Sequence, residues 1–267
     1  MEEWLVIVAQ WPIADVPAVS AIYAQTLGGA ASDAAQLLRR CRGIVAERLS
    51  ESDALQLADH LTRSGIAARA FAANRLPDFA RPVVAKMVDL RDPDALIAQI
   101  SITGPPERIP FRHVVLTLPG RWQTSITTVE QAKKKGVSMV GLAMDLAMTG
   151  GVKTMLQSRP GTKEPDKVIE SKDDEPMLEL ATVAPGRRIH VFARRLDYRN
   201  LMQQQGRVED NWRQWLQELQ ARVRPGVAGA DRLQRVLAGA QAPRDTIVSD
   251  VNDLGRTAKW LMFSALQ

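Results

Sequence analysis

The chain predicts an α+β protein: a two-layer βααβαβ domain over residues 1–75, then a mainly antiparallel β domain over residues 82–267 that carries a long amphipathic helix. Three observations carry this reading. Residues 32–71 hold two helices with one apolar spacing, Ala34, Leu37, Leu38 and Cys41 in the first and Ala54, Leu57, Ala58 and Leu61 in the second, each followed by a glycine and a strand-like run. From Val83 onward short apolar runs alternate with turn signals, as in a small sheet or barrel. Val208, Trp212, Trp215, Leu216, Leu219 and Val223 then share one helical face, with Arg213, Gln214, Gln217 and Arg222 on the other. A chain of 267 residues exceeds one ordinary core, and AANRLPDFARP (72–82), with two prolines and neither period, is where the two domains should part.

The first element is Trp4–Val8 (WLVIV), a continuous apolar run suited to a central strand. Pro17 stands where a helix begins; Val19, Ile22, Tyr23 and Leu27 give that helix an apolar face, and Gly28-Gly29 stop it. Ser32 and Ser50 are expected to cap the next two helices, while Gly43 and Gly65 supply the left-handed residue that ends each. The runs IVAERL and IAARAF that follow complete the order β, α, α, β, α, β, with strands in one layer and helices in the other.

The phrase LGGAASDAAQLLRRCRGIVAERLSESDALQLADHLTRSGIAARAF, in that order of elements, resembles the C-terminal domain of the bacterial ribosomal stalk protein, whose fold is related to that of the Clp protease adaptor. The resemblance covers residues 3–72 and implies the fold and a role in contacting other proteins. The stalk family recruits translation factors through basic residues on its opening helix pair. The matching region here, AVSAIYAQTLGGAASDAA, has no lysine or arginine, so that activity is not implied.

In the second half VVAKMVDL and ALIAQISI flank the turn RDPD as a hairpin; PERIPF leads to HVVLTL, a turn at Pro119-Gly120, and RWQTSITTV. Lys133, Lys134 and Lys135 open a methionine-rich run, 132–156, read as an insertion or a helix capping the sheet, with a membrane-surface helix as the alternative. Gln157–Pro176 is polar and proline-punctuated and reads as a disordered loop, in which Asp173, Asp174 and Glu175 are solvated. The sheet resumes at MLELATV, turns at Pro185-Gly186 and continues as RRIHVFARRLDY. After the amphipathic helix, Asp231–Leu237 and Asp245–Leu266 read as further helices, the last docking its apolar cluster Trp260–Phe263 on the core. Strands closed by an amphipathic helix, with RIPFRHVVLTLPGRW between strands, resemble a pleckstrin-homology-like domain.

Charge and motifs narrow the chemistry. The net charge is +5, yet through Arg75 seven arginines face eight carboxylates, so the excess lies in the later residues. Arginine far outnumbers lysine, in keeping with a GC-rich bacterial genome. The single cysteine, Cys41, sits on an apolar face, no window reaches the ~20 apolar residues of a membrane span, and Glu2 and Glu3 do not suit a secretory start; a cytoplasmic protein is expected. His60, His113 and His190 lack metal-ligand spacing; G-x-S-x-G, H-E-x-x-H and G-x-G-x-x-G are missing, and TGGVKT has valine where a phosphate loop needs glycine. No catalytic, cofactor-binding or metal residue is therefore assigned. Arg187, Arg188, Arg194, Arg195 and Arg199 cluster along the resumed hairpin, where Arg188, His190 and Arg194 would share a face as an anion-binding stripe. The expected function is a non-enzymatic interaction or scaffold protein with a protein partner. The alternatives are a peripheral binder of anionic lipid or nucleic acid, and an enzyme whose site is dispersed through the chain.

Overall fold

The computed structural model describes residues 2–76, 81–100, 103–130, 167–201, 206–249 and 251–266, and the chain adopts the α+β class. In the first sheet β1 (Trp4–Val8) lies between β2 (Ile44–Leu49) and β3 (Ala68–Ala72), antiparallel to both. α1 (Val16–Leu27), α2 (Ala31–Arg40) and α3 (Glu51–Arg63) complete the expected βααβαβ order. The alternation of β1 divides its side chains between two cores. Val6 and Val8 join Val19, Leu38, Leu57 and Leu61 beneath the helices, while Leu5 and Ile7 join Ile44 and Phe71 on the opposite face.

The helix ends follow the sequence unequally. Ser50 caps α3, its Oγ accepting the Asp53 amide at 3.1 Å, and Ala54, Leu57, Ala58 and Leu61 are all buried. Ser50→Ala should cost about 1 kcal/mol, read as a melting temperature lower by roughly 2–4 °C. Ser32, by contrast, lies inside the first turn of α2, which starts after an extended Ala30 with no side-chain cap. Leu37 is also a correction, at 58% exposed: Ala34, Leu38 and Cys41, spaced i, i+4 and i+7, fill the narrow strip that α2 presents to the core.

The later elements are β4 (Val83–Ala85), β5 (Met87–Asp89), β6 (Ala95–Gln99), β7 (Glu107–Pro110), β8 (Val114–Glu130), β9 (Lys167–Val183), β10 (Gly186–Phe192), α4 (Val208–Arg222), α5 (Ala230–Leu237), β11 (Ile247–Val248) and α6 (Val251–Ala265). They build a five-stranded sheet, β11-β8-β9-β10-β4, and a three-stranded sheet, β5-β6-β7. The Pro185 turn joins β9 to β10 as expected.

Four expectations are corrected. VVAKMVDL is two strands in different sheets, because Lys86 bonds through its amide to Gln99 and through its carbonyl to the Asp197 amide, and β4 leaves to pair parallel with β10. Pro119-Gly120 does not turn; β8 runs through it, and a Cβ on Gly120 would stand 2.7 Å from the Thr246 carbonyl, so the glycine serves close approach of the chain beside β11. Residues 167–176, read as disordered, belong to β9. Asp245–Leu266 is a short 3₁₀ turn, β11 and α6 rather than one helix.

Residues 1–123 and 174–267 form one compact unit and 124–173 a second, whose described residues are 124–130 of β8 and 167–173 of β9. The lysine triplet, the methionine-rich run 132–156 and residues 157–166 lie outside the described residues. Among the described residues no helix is long and apolar enough to cross a membrane.

Within the first unit α6 is the common wall of two cores. Leu254, Ala258 and Met262, at i, i+4 and i+8, pack with Leu116, Leu118, Met177 and Phe192 of the five-stranded sheet. Trp260 and Phe263, at i and i+3, pack with Leu5, Ile7, Ile44 and Phe71 of the first sheet. The cluster Trp260–Phe263 thus docks on the core, as its sequence suggests. The other face of the five-stranded sheet, through Leu178, Leu180, Ile189 and Val191, packs with Trp212, Trp215, Leu216 and Leu219 of α4.

Candidate anion-binding cleft

The arginines of the β9–β10 hairpin already hold acceptors within the protein. Arg187 pairs with Glu107 at 3.3 Å, Arg195 with Glu175 at 3.2 Å, and Arg199 with Asp197 at 2.5 Å. Arg188 donates its Nε to Glu179 at 2.5 Å, and the Arg194 amide donates to Glu175 at 2.8 Å. An external anion on this hairpin has to compete with those carboxylates. Arg188 and His190 do share a face of β10, but the strand ends at Phe192 and Arg194 lies beyond it. Glu175, read from sequence as solvated, is buried, and Asp174 pairs with Arg121 at 2.8 Å.

A different set of arginines lines a cleft of about 860 Å³: Arg39, Arg40, Arg42, Arg232 and Arg235, together with Trp11, Pro12, Pro243 and Asp245. Three elements bring them together. Arg39 and Arg40 occupy the last turn of α2, where the partial negative charge of the helix end favours cations. Arg42 (φ 51°) and Gly43 (φ 86°) then turn the chain left-handed into β2, a conformation that costs a non-glycine residue roughly 1–2 kcal/mol. The Arg42 guanidinium reaches the Asp245 carbonyl at 2.6 Å. Arg232 and Arg235 come from α5.

The electrostatics of the cleft are one-sided. Among the described residues Asp245 is the one acid that lines it, and its carboxylate is held by Arg232 at 2.6 Å in a largely buried pair, while Thr257 of α6 donates to its carbonyl at 3.3 Å. Arg235 pairs with Asp231 on its own helix at 2.9 Å, with both side chains more than half exposed to solvent screening. Arg39 and Arg40 are exposed, and among the described residues neither side chain has an ion pair or hydrogen bond. Two uncompensated guanidinium groups therefore face a concave space that already carries surplus positive charge. Such a geometry focuses field lines and raises the local concentration of anions.

Other titratable groups are separate from the cleft. Burial pushes the Cys41 thiol up to about 11, so it is a core side chain and no nucleophile at neutral pH. His60 Nδ1 hydrogen-bonds the Thr26 hydroxyl at 2.9 Å, His113 Nδ1 meets the Ala184 carbonyl at 2.5 Å, and His190 Nε2 meets Glu179 at 3.3 Å, three unrelated places. Among the described residues no group of His, Cys, Asp and Glu is arranged to hold a metal ion.

Sequence reasoning missed the cleft because its walls are about 190 residues apart in the chain. One local signal was present: RRCR, three arginines within four residues, in a stretch, residues 1–75, whose net charge is otherwise negative. Comparison with family models, with curated proteins and with solved structures returns no match, so the reading of the cleft stands on its geometry.

Proposed function

We propose that this chain is a non-enzymatic binding protein of the bacterial cytoplasm whose arginine-lined cleft holds an anionic, phosphate-bearing ligand. The observation that carries the reading is the pair Arg39 and Arg40, without partners among the described residues, on the wall of a cleft that also gathers Arg42, Arg232 and Arg235. Arginine forks match phosphate oxygens two at a time, which suits this donor set better than a carboxylate-poor catalytic site. The reading keeps the peripheral anion-binding alternative of the sequence and moves it from the hairpin to the cleft.

A second reading, docking of a protein partner on the stalk-like module, draws support from Leu37 of α2 and Leu55 of α3, which are 58% and 51% exposed. The stalk-like and pleckstrin-homology-like resemblances belong with this second reading.

Calorimetric titration of the full chain with inorganic tripolyphosphate at low salt tests the first reading. Arg39→Gln/Arg40→Gln should weaken binding by at least about tenfold, since each charge-assisted hydrogen bond contributes ~1.5–3 kcal/mol. Arg187→Gln/Arg199→Gln removes the same charge from the hairpin and should leave binding within about twofold. Equal losses in both variants, or no binding by the wild type, would overturn the assignment to the cleft.

A further inference from the structure

The cleft combines its charges with one aromatic ring. Trp11 is half-buried: it packs against the apolar clusters on both sides of the first sheet, and it also lines the cleft beside Pro12. An indole anchored in this way is already ordered, so stacking a planar group on it costs little further entropy. The same cleft is lined by Arg39 and Arg40, whose guanidinium groups have no partner among the described residues, and by the partly exposed Arg235.

Resting on the anion-binding reading above, we infer that the ligand is a nucleoside phosphate, its base stacked on Trp11 and its phosphates held by Arg39 and Arg40. Three features select this chemistry. A phosphate alone needs the arginines and has no use for the ring, whereas a nucleotide uses both, since every base offers a π face and every phosphate a bidentate acceptor. A volume of about 860 Å³ is within the range of small-molecule sites and far exceeds what one phosphate fills. The basic residues line a concavity, a shape that suits a compact ligand better than a flat bilayer surface.

The same chemistry is supplied by a free nucleotide or by the phosphorylated end of a single strand. The guanidinium groups of Arg39 and Arg40 and the ring of Trp11, which line one cleft, provide for one base and its phosphates, and a strand adds only backbone contacts outside the cleft.

The test is calorimetric titration of the full chain with adenosine triphosphate, inorganic tripolyphosphate and a 5′-phosphorylated single-stranded oligonucleotide, each at two salt concentrations. Adenosine triphosphate should bind more tightly than tripolyphosphate, by the roughly 5- to 150-fold that one stacked base is worth. Trp11→Leu, which keeps an apolar anchor, should remove that difference and leave tripolyphosphate binding unchanged, which also certifies that the variant is folded. Arg39→Gln/Arg40→Gln should weaken all three ligands. An oligonucleotide that outbinds the mononucleotide identifies the strand as the source; parity identifies the free nucleotide. If tripolyphosphate binds as tightly as adenosine triphosphate and Trp11→Leu changes neither, the nucleoside inference falls while the anion cleft stands. If anionic vesicles compete with tripolyphosphate and adenosine triphosphate does not, the ligand is a lipid headgroup and the inference is overturned. Failure of every phosphate ligand to bind the wild type sinks both readings together.

Discussion

Trp260→Ala should destabilise the protein by about 3–5 kcal/mol, the range for deleting a buried aromatic side chain, or roughly 6–20 °C in melting temperature. The indole is 6% exposed and packs with Leu5, Ile7, Ile44, Phe71 and Phe263 on the face of the first sheet that α1, α2 and α3 leave open. Its Nε1 donates to the Val8 carbonyl at 2.8 Å, and the Arg232 guanidinium lies 5.6 Å from its ring centroid. Truncation removes apolar contact, a buried hydrogen bond and a cation–π contact together. Trp260→Phe keeps most of the volume and should recover much of the loss.

A double-mutant cycle with Gly43 separates this contact from a general effect of truncating α6. A Cβ on Gly43 would stand 2.5 Å from the indole, and the residue has φ 86°, so Gly43→Ala meets both a collision and an unfavourable backbone. In the Trp260→Ala background the collision partner is gone, and only the backbone cost of roughly 1–2 kcal/mol remains. The cost of Gly43→Ala should therefore be markedly smaller in that background. Equal costs in both backgrounds would mean that the indole does not sit over Gly43.

The same contact marks the limit of what residues 3–72 reveal about themselves. WLVIV is apolar at every position, and in a strand that pattern announces two covered faces, as observed for Leu5 and Ile7 on one side and Val6 and Val8 on the other. Nothing local says that the second cover comes from Trp260 and Phe263, about 250 residues later. The face of α3 was legible for the same local reason, since Ala54, Leu57, Ala58 and Leu61 have only one face to share, whereas on α2 the same spacing put the exposed Leu37 inside. Positions with two structural solutions were misread. Pro119-Gly120 has the composition of a turn and the role of a close approach; residues 167–176 have the composition of a loop and lie in β9 because neighbouring strands supply ladder partners that composition does not show. The arginines were visible as a composition, but pairing decides which of them face solvent uncompensated, and pairing is a property of the fold: Arg188 finds Glu179 across a hairpin, whereas Arg39 and Arg40 find no partner among the described residues.

Glu179→Ala should destabilise the protein at neutral pH by about 3–5 kcal/mol, because removing one member of a buried pair strands the other. Glu179 is fully buried on the face of β9 that α6 covers, directly opposite His190 in the β9–β10 register. Its Oε1 accepts from Arg188 Nε at 2.5 Å and its Oε2 meets His190 Nε2 at 3.3 Å. The Arg188 side chain is 15% exposed, its guanidinium lies against Gly255 of α6, and its Nη2 has no hydrogen-bond partner among the described residues, so Glu179 is the main compensation there for that charge. Burial by itself pushes the Glu179 carboxyl up, but the hydrogen bonds from His190 and Arg188, with the Arg188 charge, outweigh it and hold the group below the usual carboxylate range. A carboxyl depressed in the folded state stabilises fully above its unfolded value, about 4.5, and that contribution is lost as pH falls from there through the folded value. Asp89, Asp92 and Asp197 are also depressed, by hydrogen bonds from Arg91, from the Asp94 amide and from Arg199, but they are common to wild type and variant and cancel in the difference. Thermal unfolding of wild type and Glu179→Gln, which keeps the shape and an acceptor while removing the charge, should therefore show a gap at about pH 5 that narrows steadily as the pH falls below about 4.5. A gap that stays constant to pH 3 would show that Glu179 stabilises the sheet by packing and hydrogen bonding rather than by its charge beneath α6.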